Sequence, residues 1–237
     1  MRGLTLRDPA AVGRVLLVAL ADMAGLWRLN EAGGTDNAVD ASANGNTLTK
    51  SGADAATAAT GKVDGCRQLT ADCKFLGTSL TGLPTGISDS CTIFGWAKHE
   101  AGSCVGGSPK TLTFGGYGVA AYTVEVYNTA SKKFTFTFPY NGWIDIDVVS
   151  TEAWHFFAFG YDAATGKAWA SVDVGARQEL TPGGSWVAPS AATVQMGELG
   201  GSPPVQENID HIGIIDQALT DVQLAWLYNG GSGRDLA

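Results

Sequence analysis

Residues 134–161 read FTFTFPYNGWIDIDVVSTEAWHFFAFGY, and three segments inside that stretch decide the fold. Phe134, Phe136 and Phe138 alternate with Thr135 and Thr137. Ile144, Ile146 and Val148 alternate with Asp145 and Asp147 in the same way. A period of two sends successive side chains to opposite faces of an extended chain, so both segments read as half-buried strands. Trp154 to Tyr161 is apolar almost throughout, which is the pattern of a central strand covered on both faces.

The surroundings extend this reading. Asp162–Gly166 is hairpin-turn chemistry leading into Lys167–Asp173, where Ala168, Ala170 and Val172 share one face and Trp169, Ser171 and Asp173 the other. Upstream, strands are predicted at about 26–31, 65–70, 73–77 and 91–98. Asp40–Asn46 is turn chemistry with Asn44-Gly45 suited to positive φ, and Ser51–Gly61 reads as a small-residue surface loop. The helix signal lies near the end: Thr220 and Gln223 form a capping box, Leu224, Leu227 and Tyr228 follow at helical spacing, and Gly230 closes the segment.

Thirty-two glycines in 237 residues suit many short strands joined by tight turns. No repeat or linker divides the chain, so residues 25–237 are expected to form one all-β domain preceded by an arm at 1–24. Within the arm, Arg14 followed by Val15–Ala21 faintly resembles a secretory h-region, but Asp8 and Pro9 interrupt its n-region. An arm packed on the domain or a neighbour is the plainer expectation. The net charge of −8 with no basic cluster argues against a nucleic-acid partner. No apolar run approaches the roughly 18 residues that a transmembrane helix needs, so no membrane partner is expected. Cys66, Cys73, Cys91 and Cys104 match no zinc-ligand spacing. Buried free thiols are expected over a disulfide, with a Cys66–Cys73 hairpin bridge the other reading.

Taken in order, several landmarks resemble the laminin-G-like jelly-roll group of the concanavalin A-like lectin/glucanase superfamily. Leu26–Glu31 resembles its first strand, and Asp40–Asn46 its D-x-S-G-N-x-N loop. Ala59–Val63 resembles the entry to its second strand, Thr92–Trp96 its F-T-I-x-x-W strand, and Trp154-His155-Phe156 the start of a core strand. Ser171-Val172-Asp173 is similar to its V-D-G hairpin, with Val174 in place of the glycine. Ile209–Gly213, Ala218–Thr220 and Leu227–Gly231 match its closing block. Residues 1–25 have no counterpart. The resemblance implies a two-sheet antiparallel jelly-roll β-sandwich with a short C-terminal helical turn. Its ending, Tyr228–Leu236, looks like that of single-domain versions on phage particles and in secreted bacterial surface proteins.

From that resemblance a non-enzymatic virion protein is expected, a capsid decoration or tail-associated component assembling with itself or other virion proteins and adhering to surface glycans. The alternative is a secreted or cell-surface bacterial carbohydrate-binding module. Catalysis is not expected. Laminarinase-type relatives use an E-x-D-x-x-E strand, whereas Asp145-Ile146-Asp147 lacks the third acid. The acids of Glu207-Asn208-Ile209-Asp210 fall on opposite faces of a strand. The resemblance also implies one structural calcium at Glu31, Asp40, Asn44, Asn46 and Asp210, all oxygen ligands of the kind calcium takes. The same residues read equally as Asx-turn chemistry. For carbohydrate or protein contact, Trp143, Trp169, Trp186, Tyr117 and Tyr140 are the surface aromatics, while Trp27, Trp96, Trp154 and Trp226 fit the core by their phase.

Overall fold

A computed structural model describes residues 23–31, 37–70, 73–85, 89–100, 110–115, 121–128, 132–139, 142–181, 192–197 and 206–236. In chain order its strands are β1 (Met23–Trp27), β2 (Asn37–Ala38), β3 (Leu48–Ser51), β4 (Thr57–Thr60), β5 (Gly65–Leu69) and β6 (Lys74–Gly77). There follow β7 (Cys91–His99), β8 (Lys110–Phe114), β9 (Tyr122–Asn128), β10 (Lys132–Phe138) and β11 (Gly142–Asp147). The last are β12 (His155–Asp162), β13 (Lys167–Val172), β14 (Gln178–Leu180), β15 (Val194–Met196) and β16 (Glu207–Ile215), before helix α1 (Asp221–Tyr228).

These strands form two eight-stranded antiparallel sheets, the jelly-roll sandwich that the sequence led us to expect. Sheet A runs β14-β13-β12-β7-β16-β5-β4, with β1 also paired to β16. Sheet B runs β11-β10-β9-β8-β15-β6-β3-β2. Alternation in the sequence becomes layering in space. Phe134, Phe136, Phe138 and Ile144 of sheet B meet Phe157 and Phe159 of sheet A in the central core, while Thr135, Thr137, Trp143 and Asp145 lie on the outer face of sheet B.

Sheet A is covered on both faces. Its outer side carries Phe94, Trp96, Phe156, Ala158 and Trp169, roofed by Leu219, Leu224, Leu227 and Leu236. Trp96 stacks on Tyr228 at 5.7 Å between ring centroids. Helix α1 opens on the expected capping box, with Thr220 Oγ1 accepting from the Gln223 amide, and its C-cap Asn229 turns left-handed at φ 51°. The roof therefore rests on a short helix anchored at both ends.

Local departures from the sequence reading have simple causes. The first strand begins at Met23, inside the expected arm; residues 1–22 lie outside the described residues. The loop expected at 51–61 contains edge strand β4, whose small side chains carry no hydrophobic alternation by which to find it. Val174, in place of the hairpin glycine, adopts φ 56°. A β-branched residue is strained there by about 1–2 kcal/mol. Cys66 and Cys91 are free and buried, Cys73 is buried, and Cys104 lies outside the described residues. Burial, with the Asp210 charge second, pushes the Cys66 thiol up to about 12, so it is an inert packing group.

The centre of sheet A leaves no room for growth. Gly160 pairs with Thr92, and a Cβ there would stand 2.0 Å from the Cys91 carbonyl oxygen. Gly160→Ala is expected to cost about 3 kcal/mol by forcing β7 and β12 apart, measured by urea unfolding of the variant beside the intact protein.

Candidate functional site

The residues expected to hold calcium are engaged in hydrogen bonds. Asp40 Oδ1 accepts from the backbone amides of Leu26 (2.9 Å) and Ser42 (2.8 Å). Its Oδ2 accepts from the Asn46 amide (2.6 Å) and the Ser42 hydroxyl (2.8 Å). Asn46 donates to the carbonyls of Ala24 and Thr81 and accepts from the Thr81 amide, and Asn44 donates to Ala24. Asp210 accepts from the amides of Lys62 and Val63, and its other oxygen meets His211 Nδ1 at 2.7 Å. Glu31 accepts from the Val39 amide and pairs with Arg67. Among the described residues no three His, Cys, Asp or Glu side chains gather in a way that could hold a metal. The group acts as bracing: Asp40 and Asn46 lace the loop onto β1, and Asp210 ties the β4–β5 turn to β16.

Of the aromatics, Trp169 requires a correction. It faces outward from sheet A as its phase demands, yet it is only 2% exposed. The roof covers it, and the Arg177 guanidinium lies 4.0 Å from its ring centroid while bonding to Asp221 and the Leu219 carbonyl. Trp169 cannot reach a ligand. Trp143 is 65% exposed on edge strand β11. Trp186, Tyr117 and Tyr140 lie outside the described residues.

Trp143 therefore marks the candidate site, on the outer face of sheet B. Pairing of β10 with β11 sets Thr137 beside Trp143, Thr135 beside Asp145 and Lys133 beside Asp147. Asp145 accepts from the Thr135 hydroxyl and the Lys133 ammonium, both at 2.6 Å. Partial burial pushes its pKa up, but these two bonds and the lysine charge outweigh that and hold it below the ordinary carboxylate value. A carboxylate so held keeps its charge and serves poorly as a general acid. The outcome is an exposed indole beside hydroxyls, a fixed carboxylate and an ammonium.

The three histidines are structural in placement. His155 bridges Asp173 (Nδ1, 2.6 Å) and the Ser150 carbonyl (Nε2, 2.6 Å), two acceptors that only the imidazolium satisfies together. Burial lowers its pKa, but the bonds to Asp173 and Ser150 and the Asp173 charge more than compensate and hold it above its ordinary value. His99 is buried inside the sandwich, 3.8 Å from Glu207, which accepts from Thr111; burial pushes its pKa down to about 4. His211, at φ 48°, occupies the bulge in β16 between Asp210 and Gly213. Glu207 points into the sandwich and Asp210 toward the β4–β5 turn, so these two acids do not share a cleft.

No protein-family profile matches this sequence, and no curated protein does. Solved structures do. The binding domain of botulinum neurotoxin DC, in complex with rat synaptotagmin II, superposes with a TM-score of 0.69 at 11% identity, covering 89% of this chain and 52% of that one. The same toxin domain in complex with SialylT gives 0.68 at 11% identity, over 91% and 52%. Domain 4 of an extracellular arabinanase from Geobacillus stearothermophilus, in complex with arabinotriose, gives 0.63 at 14% identity, over 90% and 98%. This chain spans about half the length of the toxin domains and nearly all of the arabinanase domain. Likeness at such low identity is one of fold alone, a jelly-roll β-sandwich.

Two expectations follow. Asp40→Ala removes four hydrogen bonds from a buried loop and should cost about 3 kcal/mol, equally with calcium and with chelator in thermal melts. A melting temperature of the intact protein that rises with calcium would contradict the bracing role. His155 and His99 should act in opposite directions with pH. His155 stabilises fully below pH 6.5, and that contribution fades as pH rises through its raised folded pKa. His99, neutral when folded, withdraws about 3 kcal/mol as pH falls from 6.5 toward 4. His99→Gln should flatten the acid limb of the stability–pH curve, and His155→Gln the limb above pH 6.5.

Proposed function

We propose that this protein is a non-catalytic carbohydrate-recognition module that binds its glycan on the outer face of sheet B. The observation that carries the reading is Trp143. An indole left 65% exposed costs solvation unless something covers it, and its flat apolar face suits the C–H face of a sugar ring. Beside it, the Thr137 and Thr135 hydroxyls and the Asp145–Lys133 pair offer donors and acceptors to ring hydroxyls. The fold neighbours, described with SialylT and with arabinotriose, support a glycan over other small ligands. The absence of catalysis is part of the proposal. It draws support from the low pKa of Asp145 and the separation of Glu207 from Asp210.

The setting we propose is a phage particle, as a capsid decoration or tail-associated component. This rests on the resemblance of Tyr228–Leu236 to the ending of phage-borne single-domain jelly rolls. Co-sedimentation of the protein with particles tests the setting; recovery only from a bacterial surface or culture medium would overturn it and leave the sugar-binding reading intact.

Binding itself is tested on a glycan array with the intact protein and with Trp143→Ala. The intact protein should show selective binding that the variant loses by tenfold or more, on the order of 1–3 kcal/mol per stacked ring, with no change in melting temperature. Binding that survives Trp143→Ala would place the site elsewhere.

A further inference from the structure

Strand β7 changes character along its outward side. Phe94 and Trp96 belong to the roofed apolar patch, and the same alternation then presents Lys98 and, just past the strand, Glu100. Asn208 on β16 is the direct cross-strand partner of Lys98. The Glu100 backbone amide donates to the Gln206 carbonyl at 2.9 Å, which holds the end of β7 against β16. An amine, a carboxylate and a carboxamide thus stand together on two neighbouring strands at the centre of sheet A.

Their polar atoms converge on a single oxygen. Glu100 Oε1 lies 3.2 Å from Lys98 Nζ and also accepts a hydrogen bond from Asn208 Nδ2. On the other side of the carboxamide, Asn208 Oδ1 accepts from the Cys66 thiol at 3.8 Å. Asn208 is 1% exposed, so water has little access to its carboxamide carbon. The Trp154 ring lies 5.6 Å from Lys98 Nζ and covers the amine on a further side. An ordinary surface ion pair needs only Lys98 and Glu100. Here the same carboxylate oxygen also holds a buried carboxamide, which sets a nucleophile, a proton carrier and an acyl carbon in one hydrogen-bonded cluster.

We infer that Lys98 and Asn208 join in an isopeptide cross-link, with Glu100 carrying the proton. Glu100 takes one proton from the Lys98 ammonium and frees the Nζ lone pair. Nζ attacks Asn208 Cγ, and the negative charge that develops on Oδ1 faces the Cys66 S–H. Glu100 passes its proton to Nδ2 and the Cγ–Nδ2 bond breaks. Ammonia leaves and takes the second Nζ proton with it as ammonium. One ammonium and one primary amide enter; one secondary amide and one ammonium ion result, with no oxidant or cofactor. The starting charges suit the step. Partial burial raises the Glu100 pKa, but the bonds from Asn208 and Lys98 and the lysine charge outweigh it, so Glu100 begins as the carboxylate. Burial keeps the proton on Cys66, which therefore remains a donor and not a rival nucleophile. The link closes the long loop between positions 98 and 208 and so restricts the unfolded chain.

Mass spectrometry of the intact protein is the test. Its mass should fall short of the sequence by one ammonia, and a protease map should recover the peptides carrying Lys98 and Asn208 as one linked species. Lys98→Arg and Glu100→Gln should each restore the full mass and lower the melting temperature. Full mass with the two peptides separate, even after days at about pH 9 to favour the free amine, would overturn the inference. A shortfall confined to one peptide, as a succinimide at Asn44-Gly45 gives, would overturn it as well. A link that forms equally in Glu100→Gln would overturn the role given to that carboxylate. Sugar binding at Trp143 stands or falls independently of all these outcomes.

Discussion

Sheet A is apolar on both faces, and that constraint organises the molecule. Its inner side joins the central core, while Phe94, Trp96, Phe156, Ala158 and Trp169 give the outer side an oily surface that cannot face water. Burying such side chains is worth roughly 1.5–3 kcal/mol each. The C-terminal segment is therefore recruited as a roof, with Leu219, Leu224, Leu227 and Leu236 supplying its underside. The capping box of α1 and its left-handed C-cap make the roof stiff enough to sit in one place.

With one sheet roofed, the outer face of the other is the sheet surface that carries polar side chains outward. The division of labour follows from composition. β12 is apolar at nearly every position and must be covered twice, whereas β10 and β11 spend every second position on Thr, Asp or Trp and can meet solvent. The same division explains the loop chemistry. Asp40, Asn46 and Asp210 are buried polar residues whose bonding capacity is used on backbone amides and carbonyls. They tie the first strand and the β4–β5 turn to the sandwich. A buried carboxylate surrounded by amide donors has much of its charge offset by those bonds.

Strand identity was largely legible from local pattern, because alternation is written residue by residue. Phe134–Phe138, Ile144–Val148, Trp154–Tyr161 and the helix with its Thr220–Gln223 box all stand close to where periodicity and capping chemistry put them. β4 was not legible, since Thr57-Ala58-Ala59-Thr60 has neither alternation nor bulk. The candidate site was half legible. Trp143 and Trp169 both stand on strand faces opposite small or aliphatic residues, and sequence phase treats them alike.

The sequence by itself therefore determined the all-β class, the strand faces, the helix and its cap, because each depends on neighbours one to four positions away. Tertiary structure alone decided which outward face meets water. Trp169 is covered because residues 219–236, some 50 positions later, fold back over sheet A, whereas Trp143 is left exposed on the outer face of sheet B. Which strands became neighbours was likewise decided in space, when segments far apart in the chain, such as β8 and β15, were brought into register. Pairing between distant segments is fixed by how two sheets bury their shared core, and that information belongs to no single stretch of the chain.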